Sequence, residues 1–411
     1  MAKTAAPPSK APPSRPPLSK SGEAHPAGLA RKAAAVAGKV AALRAELALA
    51  HRLTHEAQVR EALTRSDLTL ALNAALSGRA EAQAVARREA VARLAAREGP
   101  APKPFEPWRR ALMRRGLAAE TLRIAESGLW RGADLGEITA YAQRGADPAA
   151  APRTLFDQAW YLAAVPDAAA YGQSPLSHYI AHGADADVAP HPLFDPVYYR
   201  ERNAADLGDA SPLAHFLQVG AWRARDPHPL FDVAHYASQG PDLAANEDPV
   251  SHYLRQGWRD GLSPHPLFDP AWYRRQAPPE AAGSPPLLHY VTVGWRDGLS
   301  PHPLFDPLWY LAQYEDVAKA GIDPLAHFLI AGAAEGRSPG PWFDLPHYVA
   351  ARGAALDPAV NPLVDYLQGG AWVLAEAQPG FPTAAYLAQS PELVGQGMTP
   401  LEHWVRRSPH P

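Results

Sequence analysis

The stretch GWRDGLSPHPLFDP occurs twice, at Gly257–Pro270 and, 37 positions on, at Gly294–Pro307. Its Phe-Asp pair marks further copies at Phe156-Asp157, Phe194-Asp195, Phe231-Asp232, Phe268-Asp269, Phe305-Asp306 and Phe343-Asp344, with an altered copy at Phe381-Pro382. Successive steps are 38, 37, 37, 37, 38 and 38 residues. A second landmark keeps the same pace: PLSHY at Pro175, PLAHF at Pro212, PVSHY at Pro249, PLLHY at Pro286, PLAHF at Pro324, PLVDY at Pro362 and PLEHW at Pro400. Half of an eroded copy, DLGEITAYAQRGADP (Asp134–Pro148), precedes them. A constant period of this size means tandem supersecondary units that bury their apolar faces on one another.

Each unit reads as two short helices. Asp195 caps the first, and Pro196 occupies its first turn, where a missing N–H costs nothing. Phe194 before the cap and Tyr199 four places after it form a hydrophobic staple. The same spacing of five holds in all seven copies, through Tyr161, Tyr199, Tyr236, Tyr273, Tyr310, Tyr348 and Tyr386. The second helix starts at Ser211-Pro212, with Leu213, Phe216 and Leu217 on its apolar face. Gly220, matched by Gly183, Gly257, Gly294, Gly332 and Gly370, suits a left-handed C-terminal residue. The proline-studded return to the next Phe-Asp is expected to run extended across the surface. Helices of about ten residues are unstable alone, so the expectation for 151–411 is an all-α solenoid of about seven helix pairs.

The segment HPLFDPLWYLAQYEDVAKAGIDPLAHFLIAGAAEGRSPGPWFD (His302–Asp344) resembles a bacterial repeat with the pattern Phe-Asp-x-x-Tyr-Tyr-Leu, Asn-Pro-Asp-Val-Ala, Pro-Leu-x-His-Tyr and Gly-x-x-Glu-Gly-Arg. That repeat accompanies glycosyltransferase domains and rhamnan-synthesis-type proteins of cell-surface polysaccharides. The resemblance covers about residues 134–411. It implies an accessory role near glycan assembly and a glycosyltransferase as protein partner. It does not imply transfer activity, because the sequence has no stretch long enough for a catalytic domain of that kind and no nucleotide-sugar site.

The rest of the chain is of another kind. No Phe, Trp or Tyr precedes Phe105. Residues 1–115 carry 21 of the 39 Lys/Arg but only 9 of the 42 Asp/Glu, so a basic arm of net +12 joins a body of net −15. Residues 1–28 are a Pro/Ala/Lys-rich tail, too poor in apolar residues to order themselves. Residues 29–98 lack proline and favour helix. Val36, Val40, Leu43, Leu47, Ala50, Thr54 and Ala57 alternate four and three apart, a diluted coiled-coil seam that suggests self-association. Ser66-Asp67 could restart a helix and Ser77-Gly78 could turn one, so an interrupted helix or a hairpin fits. Residues 99–107 (GPAPKPFEP) form a stiff linker, and 108–150 an eroded helical cap.

The absence of cysteine excludes disulfides and thiolate chemistry. No signal-peptide core or membrane-spanning run is present, and the expected location is the cytoplasm. Nothing in the arm stacks bases, which argues against nucleic acid. Two rows of histidine stand out: His178, His215, His252, His289, His327 and His403, and His191, His228, His265 and His302. Equivalent residues of adjacent helix pairs should lie ~18–20 Å apart, whereas metal ligands sit near ~2.1 Å from the ion. No metal and no cofactor is therefore expected. Asp365 replaces histidine in one copy, which fits a shared role as hydrogen-bond acceptor from a neighbouring turn's N–H or an indole. The Asp row, including Asp232, Asp269 and Asp306, has a complete explanation as helix caps. Phe231, Phe268 and Phe305 are structural in the same way.

The pairs Trp222-Arg223, Trp258-Arg259 and Trp295-Arg296 are the candidate contacts. As an exposed row they could stack sugar rings and hold acidic groups of a polysaccharide. As packing, each indole would cover a helix C-terminus with arginine near its carbonyls. The function expected from the sequence is a non-catalytic scaffold for protein–protein interaction. The alternative is a carbohydrate-binding module using the Trp-Arg row.

Overall fold

The computed structural model describes residues 26–97, 119–132, 134–390 and 392–408. The linker 99–107, most of the tail 1–28 and the first part of the cap 108–150 lie outside the described residues. Pro26–Ala95 is one helix of 70 residues, α1. It runs unbroken through 66–67 and 77–78, so neither the cap nor the turn expected there forms. Nothing in this stretch is a strong helix breaker, since after Pro26 in the first turn it contains no proline and only isolated glycines. The chain divides into two compact units between Thr69 and Leu70, inside α1 and not at the expected linker.

In the first unit the seam residues Val40, Leu43 and Leu47 are 41%, 63% and 59% exposed. The second unit, from Leu70 onward, is an all-α repeat solenoid with no strand among its described residues. The end of α1 belongs to it. Ala90 and Leu94 are buried in its core, and Arg97 donates to the Leu243 carbonyl at 3.0 Å. Two short helices follow, α2 (Ala119–Glu126) and α3 (Leu135–Ala142), with Asp134 capping α3. They form the eroded unit ahead of the seven repeats.

The repeats, each counted from its Phe, are built as their local chemistry dictates. Asp157, Asp195, Asp232, Asp269, Asp306 and Asp344 each accept from the backbone N–H three residues on, at 2.8–3.0 Å. The staple closes in every copy, with Phe–Tyr ring centroids 5.2–5.7 Å apart. The second helix opens at its proline, as in Pro212–His215, then widens into a π-type turn, Phe216–Gly220, in which the Ala221 N–H reaches back to the Phe216 carbonyl.

Two expectations need correction. Gly220 is right-handed, at φ −62°. The left-handed positions come later, at Ala224, Gly261, Gly298 and Gly336, with φ from +52° to +76°. Nor does the return run across the surface. His191, Leu193 and Phe194 are all buried, because the return folds back on the start of its own repeat and closes it. The N–H of Asp157 donates to the Pro190 carbonyl, Asp195 to Pro227, Asp232 to Pro264, Asp269 to Pro301, Asp306 to Pro339 and Asp344 to Ala377, at 2.8–3.0 Å. This closing bond is absent from the seventh copy, where Pro382 stands in place of Asp and has no N–H to give. Bonds between successive repeats come from side chains, with the Leu287 N–H donating to the Tyr253 hydroxyl at 3.1 Å and the Tyr290 hydroxyl to Asp323 at 3.0 Å.

The winding is tight. Arg131, from the eroded unit, bonds Asp248 and Ser251 of the third repeat. Arg406 of the seventh repeat bonds Asp269 of the fourth. Side chains three repeats apart therefore touch.

Candidate functional site

The first histidine row is a hydrogen-bond acceptor, but from a different partner than expected. The Tyr hydroxyl of the staple, 16 or 17 residues upstream, meets histidine Nδ1 within the same repeat. The pairs are Tyr161–His178, Tyr199–His215, Tyr236–His252, Tyr273–His289, Tyr310–His327 and Tyr386–His403, at 2.6–2.9 Å. In the sixth repeat Tyr348 bonds Asp365 instead, and Arg352 completes that carboxylate at 2.8 and 3.1 Å. A carboxylate accepts from a hydroxyl as an imidazole does, which is why the exchange is tolerated. Burial lowers the pKa of His215, His252 and His327, keeping the ring neutral and able to accept. Burial likewise pushes the Tyr161 hydroxyl up to about 12, so it stays a donor.

This pair explains the glycine. A β-carbon at Gly183, Gly220, Gly257, Gly294, Gly332 or Gly370 would fall inside the tyrosine oxygen of its own repeat. The residue is glycine because the hydroxyl must pass close over the backbone, not because the backbone needs positive φ. Tyrosine, histidine and glycine thus act as one structural unit repeated along the chain.

The second row is buried in the returns. Nδ1 of His191, His228, His265 and His302 accepts from the N–H two residues on, at 3.0–3.2 Å. That fixes the neutral tautomer. Burial drives the pKa of His191 and His228 down to about 4 and that of His265 to about 3. After burial and the nearby carboxylates, His228 adds a small lowering at His191, and His302 does the same at His265. Among the described residues, however, no three His, Asp or Glu side chains are placed to hold a metal ion.

The same interior holds the cap aspartates and arginines from more distant parts of the second unit. Arg87 forks onto Asp232 at 2.7 and 2.9 Å. Burial is the largest influence on the Asp232 carboxyl and would raise it, but the Arg87 charge, the His235 N–H and the neighbouring histidines together hold the group below its ordinary value. Burial, reinforced by Asp232, pushes nearby Asp226 up to about 7. Arg87, Arg131 and Arg406 gave no periodic signal, since each pairs once across more than 100 residues.

The Trp-Arg pairs are packed. Trp222, Trp258 and Trp295 are 4%, 7% and 8% exposed. Trp222 Nε1 donates to the Leu217 carbonyl at 3.1 Å. Arg259 lies 4.4 Å from the Trp258 ring and donates to the Arg255 carbonyl, and Arg296 lies 4.2 Å from Trp295 and donates to Thr292. Arg223 is exposed. Of the two readings, packing describes these three indoles, which form no exposed row, and Trp160 presents more surface than any of them.

No helix among the described residues is long and apolar enough to cross a membrane. No family model, curated protein or solved structure matches the chain.

Proposed function

We propose that this protein is a non-catalytic repeat scaffold of the bacterial cytoplasm. The repeat body binds a protein partner, a glycosyltransferase of surface-polysaccharide assembly, and the helical arm joins copies of the scaffold. The observation that carries the reading is the use of the repeated polar groups. Histidine and tyrosine, which would be reactive side chains of a site, are bonded to each other, and aspartate to the N–H groups of the helix it caps, in copy after copy. What remains for partners is surface. The context comes from the likeness of His302–Asp344 to repeats that accompany glycosyltransferases. The exposed Val40, Leu43 and Leu47 support pairing of the arm.

The test has two parts. Full-length protein is sized by light scattering, alone and as the double variant Leu43→Glu/Leu47→Glu, and then mixed with purified glycosyltransferases encoded beside it. The reading expects oligomers that the double variant loses and retention of at least one enzyme. A monomer at ~100 µM that retains none of them contradicts it. The polysaccharide reading is not carried forward, because arginines cover the rings of Trp258 and Trp295.

A further inference from the structure

Repeats three and four align without a gap, so that GPDLAANEDP (Gly240–Pro249) lies over APPEAAGSPP (Ala277–Pro286). Twelve residues beyond the repeat Phe, repeats one, three, five and seven place Ala168, Leu243, Val317 and Leu393, all buried. Repeat two uses Leu207, one residue later, and it too is buried. These side chains plug the space between the two helices of their repeat. Repeat six has Ala355 there, with the buried Arg352–Asp365 ion pair beside it.

Repeat four does neither. Glu280 occupies the plug position and is exposed, and its turn Pro279–Gly283 buries no residue. A cavity of ≈ 210 Å³ opens there, lined by Tyr273, Arg274, Ala277, Ala281, Pro286 and His289. An apolar cavity of ~150 Å³ is enough to take benzene, so this one has room for a branched aliphatic side chain. Arg274 brings a positive charge to its lining, and Arg275 follows it in the last turn of the first helix. Arg274 is held by the Trp258 carbonyl, and Arg275 lies 5.0 Å from the Trp272 ring.

We propose that this cavity receives a leucine-sized aliphatic side chain from an acidic peptide segment of a partner protein, in place of the plug that sibling repeats supply themselves. The proposal rests on the scaffold reading and gives it one docking point. Aliphatic shape supplies the fit, and the Arg274 guanidinium favours acidic residues flanking it.

The probe is the chain's own plug segment, acetyl-GPDLAANED-amide, immobilised and exposed to full-length protein. Saturable retention is expected, falling at least ~10-fold when the peptide leucine becomes aspartate, in line with loss of a buried aliphatic anchor. Glu280→Leu fills the cavity in cis, so it should raise Tm by ~1–3 °C and abolish retention. Glu280→Ala removes the carboxylate without filling the space and should keep retention. Equal retention by wild type and Glu280→Leu overturns the proposal. So does no retention by wild type at millimolar peptide, whatever happens to Tm, because the cavity is then only a packing defect. No glycosyltransferase enters this assay, so its failure and a failed enzyme pull-down remain separate results.

Discussion

Between residues 26 and 69, α1 runs for about twelve turns on helix propensity, and Leu43, Leu47, Leu49 and Leu53 face water. The first helices of the repeats span only six to twelve residues, most contain or begin with proline, and in six of the seven the staple tyrosine is fully buried. Both regions are helical for opposite reasons. The arm is rich in Ala, Leu, Arg and Glu, which lose little freedom in a helix. The repeats would not hold a helix as isolated peptides. They are held by a staple, a Tyr–His bond over glycine, and a backbone bond that closes each repeat on itself. The same substitution should therefore have different consequences in the two regions.

Glycine makes the contrast sharpest. Gly257→Ala puts a methyl group into the Tyr236 hydroxyl and should cost ~3 kcal/mol or more in urea unfolding, the upper range of overpacking. A cost below ~1 kcal/mol would mean that the hydroxyl can move aside freely.

Acid should come next. His191, His228 and His265 are neutral in the folded body, with pKa lowered from 6.5 to about 4, 4 and 3. Below pH 6.5 the unfolded chain binds protons that the folded one refuses, so stability falls with pH. It is fully present above pH 6.5 and is lost progressively as pH drops toward 4 and 3. Urea midpoints of the repeat body measured from pH 7 to 4 should decline steadily, and a flat profile would contradict the buried row.

Tyr236→Phe removes one hydroxyl and leaves buried His252 Nδ1 without its donor. A loss of ~1–3 kcal/mol is expected by chemical denaturation, and no loss would show that water replaces the hydroxyl. The smallest effect belongs to the arm. Gly38 has open space around it, so Gly38→Ala should increase helicity and stabilise α1 locally by ~1 kcal/mol. Circular dichroism of the full chain would register the gain, and any loss would mean that Gly38 meets a partner surface.

What could be read from the sequence was whatever is settled within about five residues. The caps at Asp195 and Asp232, the prolines after them and the Phe–Tyr staple depend on spacing alone. The reason for Gly220 was not legible in that way, because its partner Tyr199 lies 21 residues upstream and meets it only through the angle between two helices. A clue was present. Histidine precedes that glycine by five residues in His215–Gly220, His252–Gly257 and His289–Gly294, and Asp365–Gly370 keeps the interval. An acceptor and a glycine at fixed spacing share a third group. The pairs Arg131–Asp248 and Asp269–Arg406 were out of reach, since they depend on how tightly the repeats wind. Trp258 looked like surface because its neighbours are polar, yet those arginines lie on the ring and cover it.

Hydrogen exchange by mass spectrometry tests the central claim most directly, that successive repeats bond one another into a single cooperative body. The amides of Asp195, Asp232, Asp269 and Asp306 each close their own repeat, and side-chain bonds such as Leu287 N–H to Tyr253 join one repeat to the next. The account predicts that they exchange slowly and together, and that Gly257→Ala accelerates all four. If the four exchange at unrelated rates, and the variant changes only the amides of its own repeat, the repeats are independent and the account is wrong.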